Sequence, residues 1–145
     1  MDGLDRKIVA ELLEDGRLSL AELGERVNLS SPAVKRRVDR LRAIGVITGF
    51  TALVDPAALG QNTEAFVEIH CTENTRPSAL REVLLGEPEV VAAYTVTGEA
   101  DALVHLLATD VANLEATLER IRTNPGIART KTIIVLSRLI TRQEP

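Results

Sequence analysis

At 145 residues the chain is long enough for one ordinary domain or two small ones, and its 45% apolar content is that of a globular protein with a real core. Aromatic residues make up only 2%, so that core must be aliphatic, and the single cysteine, Cys71, excludes an intrachain disulfide. The net charge of −4 argues against a nucleic-acid binder when averaged over the chain, yet residues 30–45 hold five Lys/Arg against one Asp.

Met1-Asp2-Gly3-Leu4-Asp5 is acidic where a signal peptide needs a basic start, and no apolar run approaches a membrane span. The expectation is a soluble, intracellular protein with no membrane partner, and Cys71 is read as a buried, inert thiol in the run Ala65–Cys71. Leu4, Ile8, Leu12 and Leu13 recur at helical spacing, and Asp15-Gly16 ends that helix. Ser19-Leu20-Ala21-Glu22 has the spacing of a capping box and opens a second helix through Leu23 and Val27. Asn28 is its left-handed terminator. About three residues later a third helix starts, with Ser31 as the expected cap and Pro32 at the first helical position. That spacing is the one of a helix-turn-helix.

Val34, Val38, Leu41 and Gly45 form the apolar stripe of the third helix, while Ala33, Arg36, Arg37 and Arg40 fall on its other side. Such a face is either simply solvated or fitted to a DNA major groove, and the capped helix-turn-helix context favours double-stranded DNA. The early residues Ser30, Ser31, Pro32, Ala33, Arg36 and Arg37 are best placed to reach bases, with Arg36 or Arg37 reading guanine. Lys35, Arg40 and Arg42 are assigned to phosphates. Val46–Val54 is expected to form a small β-ribbon wing turning at Thr48-Gly49. Residues 1–54 are therefore read as a winged helix-turn-helix domain and residues 55–61 as a linker bracketed by Pro56 and Gly60.

Residues 62–145 read differently. Strands are expected at Ala65–Cys71, Val90–Thr97, Ala102–Ala108 and Ala128–Ile140, and helices at Pro77–Leu85 and from a cap at Asp110 through Ile121. The order β-α-β-β-α-β is that of a ferredoxin-like fold, so the class is α+β. Two helices cover one face of such a sheet, and the bare apolar face calls for a second copy of the chain. Gly98-Glu99-Ala100-Asp101 joins the middle strands and, taken alone, is a hairpin turn whose glycine supplies positive φ. His70 and His105 sit within strands and read as structural. One Cys and two His make no metal-ligand spacing, and no phosphate-binding glycine fingerprint is present. No metal, cofactor or catalytic residue is expected.

The series Leu4-Asp5-Arg6-Lys7-Ile8, Asp15-Gly16-Arg17-Leu18-Ser19, Leu23–Ser30, Val34–Leu41, Gly45–Phe50 and Val96–Leu103 resembles the feast/famine, leucine-responsive (Lrp/AsnC) family of prokaryotic transcription regulators. The resemblance implies a DNA-binding N-terminal domain and a C-terminal domain for amino-acid sensing and assembly. Family members dimerise through the C-terminal sheets, and dimers often assemble into octamers, as tetramers of dimers. The resemblance also places an amino-acid effector between subunits, near the glycine-acid loop. It carries the role of effector site to Tyr94, Thr95, Gly98, Glu99, Ala100 and Asp101, with Thr132, Ile133 and Ile134 on the final strand. Asp101 and Glu99 would take the ammonium, and the backbone around Gly98 the carboxylate. Glu99 stands where the commoner family form has aspartate, and Ala100 replaces a larger residue, which leaves the ligand open. The implied location is the cytoplasm, at the nucleoid. Two other readings share this layout: a nucleoid-architecture protein with little effector response, and a sirohaem-decarboxylase-like enzyme, for which only His70 and His105 are at hand.

Overall fold

A computed structural model describes residues 1–140, which divide into two compact units, Met1–Leu53 and a second beginning at Val54. The first unit holds α1 (Gly3–Glu14), α2 (Leu20–Val27) and α3 (Ser31–Ala43). Each contributes to one small aliphatic core, made of Ile8, Leu23, Val27, Val34 and Leu41, with Val9, Leu12, Leu18, Leu29, Val38 and Ile47 around them. α1 starts at a reciprocal capping box: the Asp5 N–H donates to Asp2 and the Asp2 N–H to Asp5. Ser19 and Glu22 do the same for α2. Asn28 takes φ +56° and ψ +49° and turns the chain, and the Leu29 N–H donates to the Gly24 carbonyl at 2.9 Å.

Two details of this unit differ from expectation. Ser30, not Ser31, is the N-cap of α3, so Ser31 and Pro32 occupy its first two positions. The Ser30 carbonyl accepts from Ala33 and Val34, at 2.9 and 3.0 Å, which makes it the first helical acceptor. Its hydroxyl makes no cap bond, because Pro32 has no N–H and the Ala33 N–H is taken by the Ser30 carbonyl. The wing is not formed as a ribbon: residues 46–54 contain no strand. The N–H groups of Val46 and Ile47 both donate to the Leu41 carbonyl and finish α3, so the first arm has no donors left for a ladder. Ile47 packs on the core, while Phe50 and Leu53 remain exposed.

The second unit opens with a 3₁₀ turn at Pro56–Leu59, followed by β1 (Thr63–Cys71), α4 (Pro77–Leu85), β2 (Val90–Thr95), β3 (Ala102–Ala108), α5 (Val111–Arg122) and β4 (Ile127–Ile134). The sheet is antiparallel throughout, in the order β2-β3-β1-β4, and the fold is ferredoxin-like. Alternation puts Ala65, Val67 and Ile69 of β1 and Ala102, Val104, Leu106 and Ala108 of β3 on one buried face. Leu80 and Leu84 of α4 and Leu114, Leu118 and Ile121 of α5 close that core. β2 is shorter than expected: it ends at Thr95, one last bond runs from the Val96 N–H to the Asp101 carbonyl at 3.3 Å, and the chain then turns at Gly98. β4 also stops early, at Ile134 rather than Ile140. Its partner β1 ends with the Val135 N–H donating to the Glu64 carbonyl, and a strand without a partner does not continue. Leu136 and Leu139 are left almost fully exposed.

Candidate DNA interface and effector surface

The apolar side of α3 is spent on the core, so its outer side is what the first unit presents. Ser30 and Pro32 are exposed, and Ser31 and Ala33 half-buried, at the start of the helix. The five cations of this segment are not equivalent. Lys35 is paired with Asp39 one turn on, at 2.6 Å. Arg37 donates through Nη1 to Asp2 at 2.7 Å and to Asp5 at 2.8 Å, and Arg40 donates through Nη2 to the other oxygen of Asp5. Arg36 and Arg42 are exposed and make no ion pair among the described residues. The local excess of positive charge is therefore largely matched by acids, and Arg36 is the early cation left unmatched.

Asp5 carries the arrangement. Its side chain is fully buried, yet it accepts from the Asp2 N–H, from Arg37 and from Arg40. The Asp2 N–H first, and the two guanidiniums after it, hold its carboxyl well below the usual carboxylate range, against burial that pushes the other way. The Asp2 carboxyl is lowered chiefly by Arg37. The pair had a legible signal, an Asp-x-x-Asp spacing that brackets Leu4, the first apolar-periodic residue. Its partners lie 32 and 35 residues away, beyond the reach of any local pattern.

In the second unit, the loop after β2 turns at Gly98, with φ +122°. Asp101 ties that loop to β1: its N–H donates to the Ile69 carbonyl at 2.9 Å, and its carboxylate accepts from the Cys71 N–H at 2.7 Å. One oxygen is thus engaged within the chain. Tyr94, Thr95, Gly98 and Glu99 are exposed and Ala100 half-buried. Thr132, Ile133 and Ile134 lie on β4, at the opposite edge of the sheet. Three strand spacings, about 14 Å, separate β2 from β4. Within one chain Tyr94 and Thr95 therefore stand apart from Thr132–Ile134, while Asp101 is tied to β1, the strand beside β4. The Thr132 hydroxyl is buried and has no hydrogen-bond partner among the described residues.

The sheet face away from α4 and α5 carries half-buried Phe66, Leu103 and Leu107 with exposed Tyr94 and Ile133. It is not purely apolar. Phe66 stacks on His105 with 4.6 Å between ring centres, and His105 reaches Glu64 at 2.7 Å. Lys131 pairs with Glu68 at 3.3 Å, and Arg129 reaches the His70 ring at 3.2 Å. Both histidines therefore have local partners. Cys71 is half-buried rather than fully buried, and burial followed by the Asp101 charge pushes its thiol up. No group of three or more His, Cys, Asp or Glu fit to hold a metal occurs among the described residues, and no helix among them is long and apolar enough to cross a membrane.

A family model of the AsnC-type helix-turn-helix domain matches residues 1–42, and one of the Lrp/AsnC ligand binding domain matches residues 64–145. The chain belongs to the Lrp/AsnC family. It is 52% identical over 145 residues to the HTH-type transcriptional regulator Rv2324 of Mycobacterium tuberculosis, covering 100% of this chain and 98% of that one. Two solved Lrp/AsnC-like structures were determined with L-methionine. One is a feast or famine regulatory protein from M. tuberculosis, with 35% identity and a TM-score of 0.91 over 99% of this chain and 97% of that one. The other is the transcriptional regulator NMB0573 of Neisseria meningitidis, with 28% identity and a TM-score of 0.89 over 100% and 96%. Relatives of this Lrp/AsnC chain are thus named regulators of transcription, which puts it in the same broad class.

Proposed function

We propose that the chain is a sequence-specific DNA-binding regulator, and that an amino acid bound between subunits of its C-terminal unit modulates its assembly or its hold on DNA. The observation that carries the DNA half is the outer side of α3, where Arg36 stands early in the helix with no ion-pair partner among the described residues while the other side is buried. Arg36 is the base reader, set among Ser30, Ser31, Pro32 and Ala33. Lys35, Arg40 and Arg42 serve the phosphates, and Arg37 is held on α1 and presents what remains of its guanidinium. Residues 1–54 form the reading domain, residues 55–61 the linker and residues 62–145 the sensing and assembly domain. The protein acts in the cytoplasm, at the nucleoid.

The sensing half is supported by the L-methionine complexes of the two similar regulators and by the exposed loop of Gly98 and Glu99. The bare sheet face, with Phe66, Leu107 and Ile133, is the dimer surface. Binding isotherms on a duplex enriched from a random pool, and on the pool itself, test the first half. Arg36→Ala should lose affinity for the enriched duplex well beyond its loss on the pool, by roughly the 1–3 kcal/mol of a bidentate base contact. Equal losses would remove its reading role. For the second half, a thermal shift with L-methionine and the other amino acids should find at least one that raises the melting temperature. A uniform absence of shift would favour an architectural role instead.

A further inference from the structure

The carboxylates of Asp2 and Asp5 do two jobs at once. Each caps α1 by accepting from the other's backbone N–H, at 2.8 and 2.9 Å, and each accepts from an arginine of α3. The start of one helix is thereby bolted to the presenting side of another. The bolt is electrically closed: two carboxylates face two guanidiniums. Arg37 uses Nη1 on both acids, so only Nε and Nη2 remain to point outward, in a fixed direction. Asp2, Arg36, Arg37 and Arg40 line one shallow concavity with Leu29 and Ala33, so the acid lies on the presenting surface itself.

We infer that the Asp2–Asp5 cap of α1 is a specificity device for DNA recognition: it fixes the direction of Arg37 and Arg40, so that Arg37 is withheld from phosphates and Arg40 meets one only when the duplex is seated in register. The inference rests on the DNA-binding reading above. An arginine freed from its acids regains its rotamers and becomes a mobile cation, which binds any duplex through its phosphates. An arginine held in place contributes only where the DNA meets it. Asp5 and Asp2 are thus positioning residues. Their removal should move specific and non-specific affinity in opposite directions, which neither loss of folding nor a simple change of net charge would do.

The test uses the full chain with Asp5→Asn and, separately, Asp2→Asn, which keeps a good cap residue at the start of α1 and so protects against the first variant failing to fold. Affinity is measured across a salt series for a duplex enriched by the wild type from a random pool, and for the pool. Circular dichroism melts report folding alongside. For both variants we expect tighter binding to the pool and a steeper salt dependence, by up to about one extra phosphate contact per freed arginine. Affinity for the enriched duplex should fall, so that the ratio of the two affinities drops tenfold or more for Asp5→Asn. Parallel losses on both DNAs would mean a structural role only, and parallel gains a charge effect only. Either would overturn the inference, as would no change in either. Failure of the wild type to enrich any duplex is a separate result, which would remove the DNA-binding reading and this inference with it.

Discussion

Gly24 sits inside α2 at the point where the turn into α3 crosses closest. A Cβ placed there would stand 2.5 Å from the Leu29 carbonyl oxygen, a backbone atom with no rotamer to move away. Leu29 is itself held by its N–H on the Gly24 carbonyl, at 2.9 Å. Making room therefore needs roughly 0.5–1 Å of backbone movement, which strains that bond and displaces the start of α3. In an open helix, Gly→Ala stabilises by about 1 kcal/mol. Here overpacking costs about 1–3 kcal/mol, and the backbone origin of the clash puts it toward the upper end. Gly24→Ala should therefore destabilise the first unit by about 1–2 kcal/mol net. Urea unfolding followed by circular dichroism measures this, and hydrogen exchange at Leu23 and Val27 assigns it to the first unit. Gly3→Ala is the control, because a Cβ there meets nothing within 4 Å, and it should leave stability unchanged or slightly raised. A Gly24→Ala variant more stable than the wild type would refute the reasoning, since helix propensity would then have prevailed over the contact.

In the second unit, Ile121 is fully buried against the sheet, and Ile121→Ala should cost about 2–5 kcal/mol in urea unfolding through the lost side chain and its cavity; a cost under 1 kcal/mol would mean that α5 settles into the space. The Asp5 carboxyl lies below its ordinary value of 3.8 in the folded state. The unfolded chain then takes up the proton first as pH falls, so this stabilising contribution is complete above about pH 4 and is lost below it. Urea midpoints from pH 5 to pH 2 should fall more steeply for the wild type than for Asp5→Asn, and a constant separation between the two curves would contradict the lowered carboxyl. On the bare sheet face, Ile133→Glu should shift the protein toward monomer in light scattering without loss of helical signal. An unchanged mass would place the dimer surface elsewhere.

What the sequence showed most clearly was what is caused within a few residues. The Ser19–Glu22 box, the left-handed Asn28, the start of α4 at Pro77 and the cap at Asp110 each depend on neighbours within one turn, and each stands where its pattern put it. The wing did not, because alternation at Val46–Val54 says nothing of Leu41, whose carbonyl takes the donors. The apolar run Ile133–Leu136 could not reveal where β4 stops, since that is set by where β1 runs out. The cap of α3 stands one residue earlier than expected because the Ser30 carbonyl takes the first helical bonds, from Ala33 and Val34, a choice that the Ser30-Ser31-Pro32 triplet leaves open. The positive window was visible as composition, but its neutralisation by Asp2 and Asp5 is a matter of tertiary contact.

The separation of Thr132–Ile134 from Tyr94 and Thr95, on opposite edges of one sheet, has a consequence for sensing. If the effector cleft draws on both edges, one edge comes from each of two copies, and the cleft exists only in proportion to the assembly. Occupancy then follows the abundance of the protein as well as that of the amino acid, and by linkage the ligand tightens the assembly as much as the assembly tightens the ligand. A cell holding few copies would respond to the same amino acid at a higher threshold than one holding many. The dose-response curve would be set partly by how strongly the regulator's own gene is expressed.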